Sequence, residues 1–158
     1  MGAAVSGFSV GDRVFGFDDV TWGGHAEFMI IQEQKSIVKI PDTITYEQAA
    51  ASGEGTHYAL SYIHTMQKVG AKRVLVHGAT GAIGSAAVQL LKAAGFYVVA
   101  TSTTKDFKTV VSLGADTVID WQKTDFTKLD EKFDVVFDSV GKSTFKACKP
   151  LLKARGIY

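Results

Sequence analysis

Past Lys72 the chain alternates two kinds of apolar pattern. The short runs "RVLVHG", "YVVATS", "DTVIDW" and "FDVVFDSVG" are β-branched and apolar at successive positions. Between the first two, "AIGSAAVQLLKAAG" carries Ile83, Ala87, Leu90, Leu91 and Ala94 along one side of a helix, and Gly95 stands just past its end. "KDFKTVVSLGA" reads as a second helix. Strands apolar on both faces, separated by amphipathic helices, predict an α/β fold with a parallel sheet covered on both sides. "STFKACKPLLKARG" reads as a further helix. It should break near Lys149, because Pro150 inside a helix costs about 3 kcal/mol or more. "IY" begins one more strand.

Before Lys72 the pattern is different. "DRVFGF", "HAEFMII" and "SIVKIP" read as short strands, punctuated by Gly11, Gly16, Gly23 and Gly24 and closed by Pro41. Strands so few and so short leave open edges, so residues 1–44 read as part of a larger β domain. Thr45 with Gln48 forms a capping-box pattern, which starts a helix through "YEQAAA". "SGEG" interrupts it, and "THYALSYIHTMQK" resumes as a second helix that Gly70 ends. The expected division is therefore 1–44 and 45–158.

Composition narrows the class. The chain has 158 residues, 46% hydrophobic and 21% charged, with a net charge of +1. These values suit a globular domain with no nucleic-acid partner. No apolar run approaches the roughly 18 residues of a membrane span, so no membrane partner is expected. "MGAAVS" matches the loose myristoylation pattern, but no polybasic segment follows it. One cysteine, Cys148, excludes an internal disulfide and reads as a small buried hydrophobe. The expected setting is the cytoplasm.

The chemistry centres on "HGATGAIG", which follows a strand and opens a helix. Such a loop presents free N–H groups to a phosphate. Gly81 lets backbone approach a pyrophosphate, and Gly84 lets the helix pack closely on the strand. The spacing departs from G-x-G-x-x-G, since the first glycine falls at Ala79 and Gly78 stands one place early. An NAD site carries an acid about 20 residues beyond the loop. Here that window is "ATSTT", followed by Lys105. Hydroxyls and a cation suit a 2′-phosphate, so NADP (as NADPH) is the expected cofactor. Asp106 is expected to turn into the start of the next helix.

"GDRVFGF", "GGHAEFMII", "IPDTITYEQAAA", "VLVHGATGAIGSAAVQLLKAAG", "VVSLGADTVIDW" and "FDVVFDSVG" occur in this order in the medium-chain dehydrogenase/reductase superfamily. The chain resembles its quinone oxidoreductase branch, which includes members labelled zinc-type alcohol dehydrogenase. The resemblance implies part of a GroES-like substrate domain followed by a Rossmann domain lacking its last strand, as in an internal fragment of a longer protein. It implies an NADPH-dependent oxidoreductase that passes hydride to a quinone or an α,β-unsaturated carbonyl. A non-catalytic nucleotide-binding fragment, or action on small alcohols and aldehydes, are the alternatives. A short-chain reductase is disfavoured, because 77 residues precede Gly78.

Carried over residue by residue, Thr56 faces the nicotinamide half of the cofactor. Thr80, Gly81, Ala82 and Ile83 form the pyrophosphate loop, and Ser102, Thr103 and Lys105 grip the 2′-phosphate. Trp121 replaces a usual tyrosine beside the adenosine phosphate, and Ser139 and Val140 lie near the ribose. Zinc-dependent relatives carry a cysteine close to Ser52 and a Cys-rich loop that "FGFDDVTWGGHAEF" lacks, so no metal is expected. The four histidines show no zinc-ligand spacing. No catalytic residue is named, although Tyr58 and His57 are candidate proton donors. A homodimer is compatible with the resemblance.

Overall fold

The computed structural model describes residues 1–18, 20 and 23–158, so Asp19, Thr21 and Trp22 of the glycine-rich stretch lie outside the described residues. The chain divides into two compact units, Met1–Glu54 and Gly55–Tyr158. The division falls inside one helix, α1 (Tyr46–Lys68).

In the first unit, β1 (Val14–Gly16) pairs antiparallel with β2 (Ile37–Lys39). The Arg13 guanidinium donates to the Ile44 carbonyl at 2.6 Å and lies over the Tyr46 ring. "HAEFMII" does not form the expected strand. A strand needs a partner edge for its N–H and C=O groups, and among the described residues this run has none.

The capping box forms as expected. The Thr45 N–H donates to Gln48 Oε1 at 2.9 Å, and the Gln48 N–H donates to Thr45 Oγ1 at 3.2 Å. The expected interruption at "SGEG" does not occur, because α1 runs unbroken for 23 residues. A Cβ on Gly55 would sit 2.5 Å from the Ala82 carbonyl oxygen. This glycine therefore marks a close backbone crossing rather than a helix end. No helix among the described residues is long and apolar enough to cross a membrane.

The second unit is built on a five-stranded parallel sheet. Its strands are β3 (Arg73–His77), β4 (Tyr97–Ser102), β5 (Thr117–Asp120), β6 (Phe133–Asp138) and β7 (Leu152–Ile157). Their order is β5-β4-β3-β6-β7. Helix α2 (Ala82–Ala93) joins β3 to β4, and α3 (Phe107–Ser112) joins β4 to β5. One face packs Val74, Val76 and Val98 against Ile63 and Met66 of α1 and Val88 and Leu91 of α2. The other packs Leu75, Val99 and Val136 against Phe126, Cys148 and Leu151. This is the expected doubly wound Rossmann order, with β3 at the point where strand order reverses. Ligands of such sheets bind beyond the carboxyl ends of the strands, at that point.

The end of the chain departs from expectation. Helix α4 spans Phe145–Cys148, a short 3₁₀ turn covers Lys149–Leu151, and β7 begins at Leu152 rather than Ile157. Pro150 offers no N–H, so the helix stops there, as its chemistry requires. The β6–β7 register shifts between Phe133 and Val135, and Arg155 takes a positive φ of 64° at that irregularity.

Candidate functional site

The turn between β3 and α2 is tight because two glycines touch its neighbours. Gly78 has φ +87°, and a Cβ there would lie 3.0 Å from Ser139 Oγ and overlap the Val140 side chain. A Cβ on Gly84 would overlap the Gly78 carbonyl and lie 2.8 Å from Ser139 Oγ. The Gly81 N–H closes the turn by donating to the Gly78 carbonyl at 3.2 Å. Gly78, not Ala79, thus makes the sharp turn, which accounts for the displaced glycine. Gly81 is different. Its φ of −75° and ψ of 166° suit any residue, and the nearest atom to a built Cβ is 3.6 Å away.

Gly81 is also the N-cap of α2. No side chain caps this end, and no acid lies in its first turn. The first N–H groups of a helix have no partner within it, so this start suits an anion.

Beside it opens a cleft of about 790 Å³, walled by the turns that follow β3, β4, β5 and β6. Thr80, Thr103, Lys105, Trp121 and Val140 line it, five of the expected cofactor residues. Ala82 opens α2, and Ile83 packs against the core beside it. Ser102 does not reach the cleft. It is 2% exposed, and its hydroxyl donates to the Thr103 carbonyl at 3.1 Å. Ser139 is likewise occupied, with its hydroxyl 2.7 Å from the His77 carbonyl oxygen. Thr56 stands on α1 beside the Gly55 crossing and does not line the cleft. His57 and Tyr58 follow it, their rings edge to face at 5.5 Å.

Asp106 departs from expectation. It makes no side-chain cap to α3. It lines the cleft instead, and its carboxylate accepts the Thr103 hydroxyl at 2.6 Å. The Thr103 hydrogen is therefore already donated. Lys105 is exposed and makes no ion pair among the described residues. Asp120, at the end of β5, accepts from the Thr104 hydroxyl and the Gln122 N–H and lies 3.5 Å from Lys123 Nζ. The Thr104 hydrogen bond leads in holding its carboxyl below the usual range.

The loop after β6 is fixed by Asp138. Burial alone would raise its pKa, but its carboxylate accepts from the Val140, Gly141 and Ser143 N–H groups and from the Ser143 hydroxyl. These donors outweigh burial and bring the pKa down to about 2. The result holds Val140 at the cleft and Ser139 under the glycine turn.

Sequence reasoning did not single out His77, Asp138, Lys123 or Lys142. The signal for Asp138 was its place at a strand end before "SVG". His77 gave none, because its partner Thr101 lies 24 residues away. Cys148 is fully buried, and burial pushes its thiol pKa up. No cluster of three or more His, Cys, Asp or Glu that could hold a metal occurs among the described residues.

Residues 82–157 match the family described as zinc-binding dehydrogenase. A quinone oxidoreductase of Pseudomonas aeruginosa is 32% identical over 99% of this chain and 50% of its own length. A 2-methylene-furan-3-one reductase of Solanum lycopersicum is 34% identical over 90% of this chain and 39% of its own. The structure of Escherichia coli quinone oxidoreductase complexed with NADPH is similar at a TM-score of 0.72 and 26% identity, covering 99% of this chain and 50% of that one. The chain thus spans half or less of the length of these relatives. Fold, glycine turn and sequence agree, and the chain belongs to the medium-chain dehydrogenase/reductase superfamily, in its quinone oxidoreductase-like branch.

Proposed function

We propose that this chain is the NADPH-binding part of a zinc-independent oxidoreductase that reduces quinones or α,β-unsaturated carbonyls. The observation that carries the reading is the uncapped, acid-free start of α2 beside a cleft whose wall carries exposed cations, Lys105 among them. In this reading Thr80, Gly81, Ala82 and Ile83 hold the pyrophosphate, and Lys105 takes the 2′-phosphate. Ser102 and Thr103 shape the turn that presents Lys105. Trp121 flanks the adenosine, Val140 and Ser139 support the ribose side, and Thr56 serves the nicotinamide half. Residues 1–44 are read as part of the substrate domain and 45–158 as the cofactor domain.

The bound coenzyme supplies a hydride from its nicotinamide C4. The chain's own part is to hold and orient the dinucleotide and to keep acids away from its anionic groups. Asp106 opposes that last role, and its bond to Thr103 moderates the opposition. The acceptors named for two relatives, a quinone and a 2-methylene-furan-3-one, are both carbonyl-conjugated alkenes, which supports that substrate class. Hydride addition at carbon is completed by a proton at oxygen, for which His57 and Tyr58 are the candidate donors.

The test is NADPH consumption with 1,4-benzoquinone and with an enone, each with and without a metal chelator. The reading expects turnover that the chelator leaves unchanged. Loss of turnover with chelator contradicts zinc independence. Because the chain spans half or less of its relatives, a second reading is a binding module without catalysis. NADPH binding with no oxidation by either acceptor would favour it.

A further inference from the structure

His77 carries a ring nitrogen at the cleft with no hydrogen-bond partner among the described residues. His77, at the carboxyl end of β3, is 8% exposed. Its ring lies against Phe126, with centroids 4.4 Å apart and planes 30° apart. Its Nδ1 is 2.7 Å from Thr101 Oγ1. The Thr101 hydroxyl is fully buried and already accepts the Gly78 N–H at 3.2 Å. Its own hydrogen needs an acceptor, and Nδ1 is the one its neighbours offer. Thr101 therefore donates to Nδ1, and the ring proton sits on Nε2. Burial keeps the imidazole below its ordinary pKa and neutral, against the opposing pull of Asp138.

Nε2 has no hydrogen-bond partner among the described residues, and no side-chain nitrogen or oxygen there is both fully buried and unpaired. Nε2–H must then reach open space, and the open space that His77 borders is the cleft. So the cleft presents a neutral donor at His77, locked in tautomer and orientation by Thr101 and Phe126.

We propose that His77 reads the base of the dinucleotide, its Nε2–H donating to an acceptor nitrogen of the purine ring. The proposal rests on the reading that the cleft takes NADPH. Charge separates base from phosphate here. The cations Lys105, Lys123 and Lys142 are all exposed residues of the wall, where a phosphate would go. The His77 donor is neutral and deep. The cleft's exposed apolar surface comes from Trp121, at 49% exposure, and Val140, at 48%. A flat heteroaromatic ring suits such walls, and a ring nitrogen suits a fixed neutral N–H.

The test is ¹⁵N–¹H spectroscopy of the histidine side chains of the full chain, titrated separately with NADPH, adenosine 2′,5′-bisphosphate and inorganic pyrophosphate. In the chain alone the Nε2–H proton exchanges with water through the cleft. NADPH and adenosine 2′,5′-bisphosphate should each turn it into a resolved, slowly exchanging signal, and pyrophosphate should not. Binding of NADPH without that signal overturns the proposal while the dinucleotide reading stands. The signal appearing with pyrophosphate alone assigns His77 to phosphate and also overturns it. No NADPH binding at all sinks the dinucleotide reading and this proposal together.

Two variants give an independent check. His77→Gln keeps a donor near Nε2 and should hold adenosine 2′,5′-bisphosphate affinity within about threefold, whereas His77→Phe should weaken it about tenfold, the scale of one lost hydrogen bond. Unchanged affinity in His77→Phe contradicts the proposal. A melting curve of each variant separates this loss from misfolding around the stranded Thr101 hydroxyl.

Discussion

Between β4 and β6, Val74, Leu75 and Val76 lose all exposure, whereas Phe28 and Ile30 of the first unit stand 90% and 100% exposed. Both runs are apolar at consecutive positions, so hydrophobicity does not separate them. Pairing does. β3 has a strand on each edge and helices or turns on both faces, so its polar backbone and apolar side chains are satisfied together. "HAEFMII" has neither among the described residues. An apolar run becomes structure only when its backbone also finds partners.

The sharpest way to break this comparison is to truncate one residue from each run. Leu75→Ala should lower stability in a urea melt by about 2–5 kcal/mol, because it opens a cavity in a sealed core. Ile30→Ala should change it by no more than about 0.5 kcal/mol. Equal effects would mean that Ile30 is buried in solution and that the contrast between the runs is false.

A second pair of variants separates packing from binding inside the second unit. Gly84→Ala should cost about 1–3 kcal/mol, because its Cβ meets the Gly78 carbonyl and backbone yields poorly. Gly81→Ala meets nothing closer than 3.6 Å and should leave the melt unchanged. It should nevertheless weaken NADPH binding, since the methyl stands where a pyrophosphate would approach. Next in size, Lys105→Ala should weaken NADPH about tenfold, as for the loss of one charged contact, and leave NADH unchanged in parallel titrations.

The smallest effect concerns acid. In the first unit Asp12 owes its lowered pKa first to its hydrogen bond with Lys39, which is 54% exposed, so salt should screen it. In the second unit Asp138 is held at about 2 by backbone and Ser143 donors, against burial. A folded pKa below the unfolded 3.8 means stability fully present above 3.8 and lost as pH falls through about 2. Acid titration of Asp138→Asn should lose that part of the slope between pH 3.8 and about 2, at low and high salt alike.

These tests follow the line between what the sequence made legible and what it hid. The strands β3 to β6 and the glycine turn were readable, because apolar runs and positive-φ glycines are local signals. Gly55 was misread as a helix break, since its reason is the Ala82 carbonyl of another element. The strand at Leu152 was hidden inside a helix-like stretch that only the β6 edge resolves. In the candidate site, the expected residues lining the cleft came from motif positions. The pairs His77–Thr101 and Thr103–Asp106 did not, because a hydrogen bond across strands or around a turn leaves no periodic trace.

The central claim is that the second unit takes NADPH through its glycine turn and Lys105. Titrating the chain with NADPH and with NADH, following tryptophan quenching and energy transfer to the nicotinamide, tests it most directly. The account predicts saturable binding, with NADPH about tenfold or more tighter than NADH, the scale of one charge-assisted contact. NADH affinity equal to or tighter than that of NADPH would contradict it.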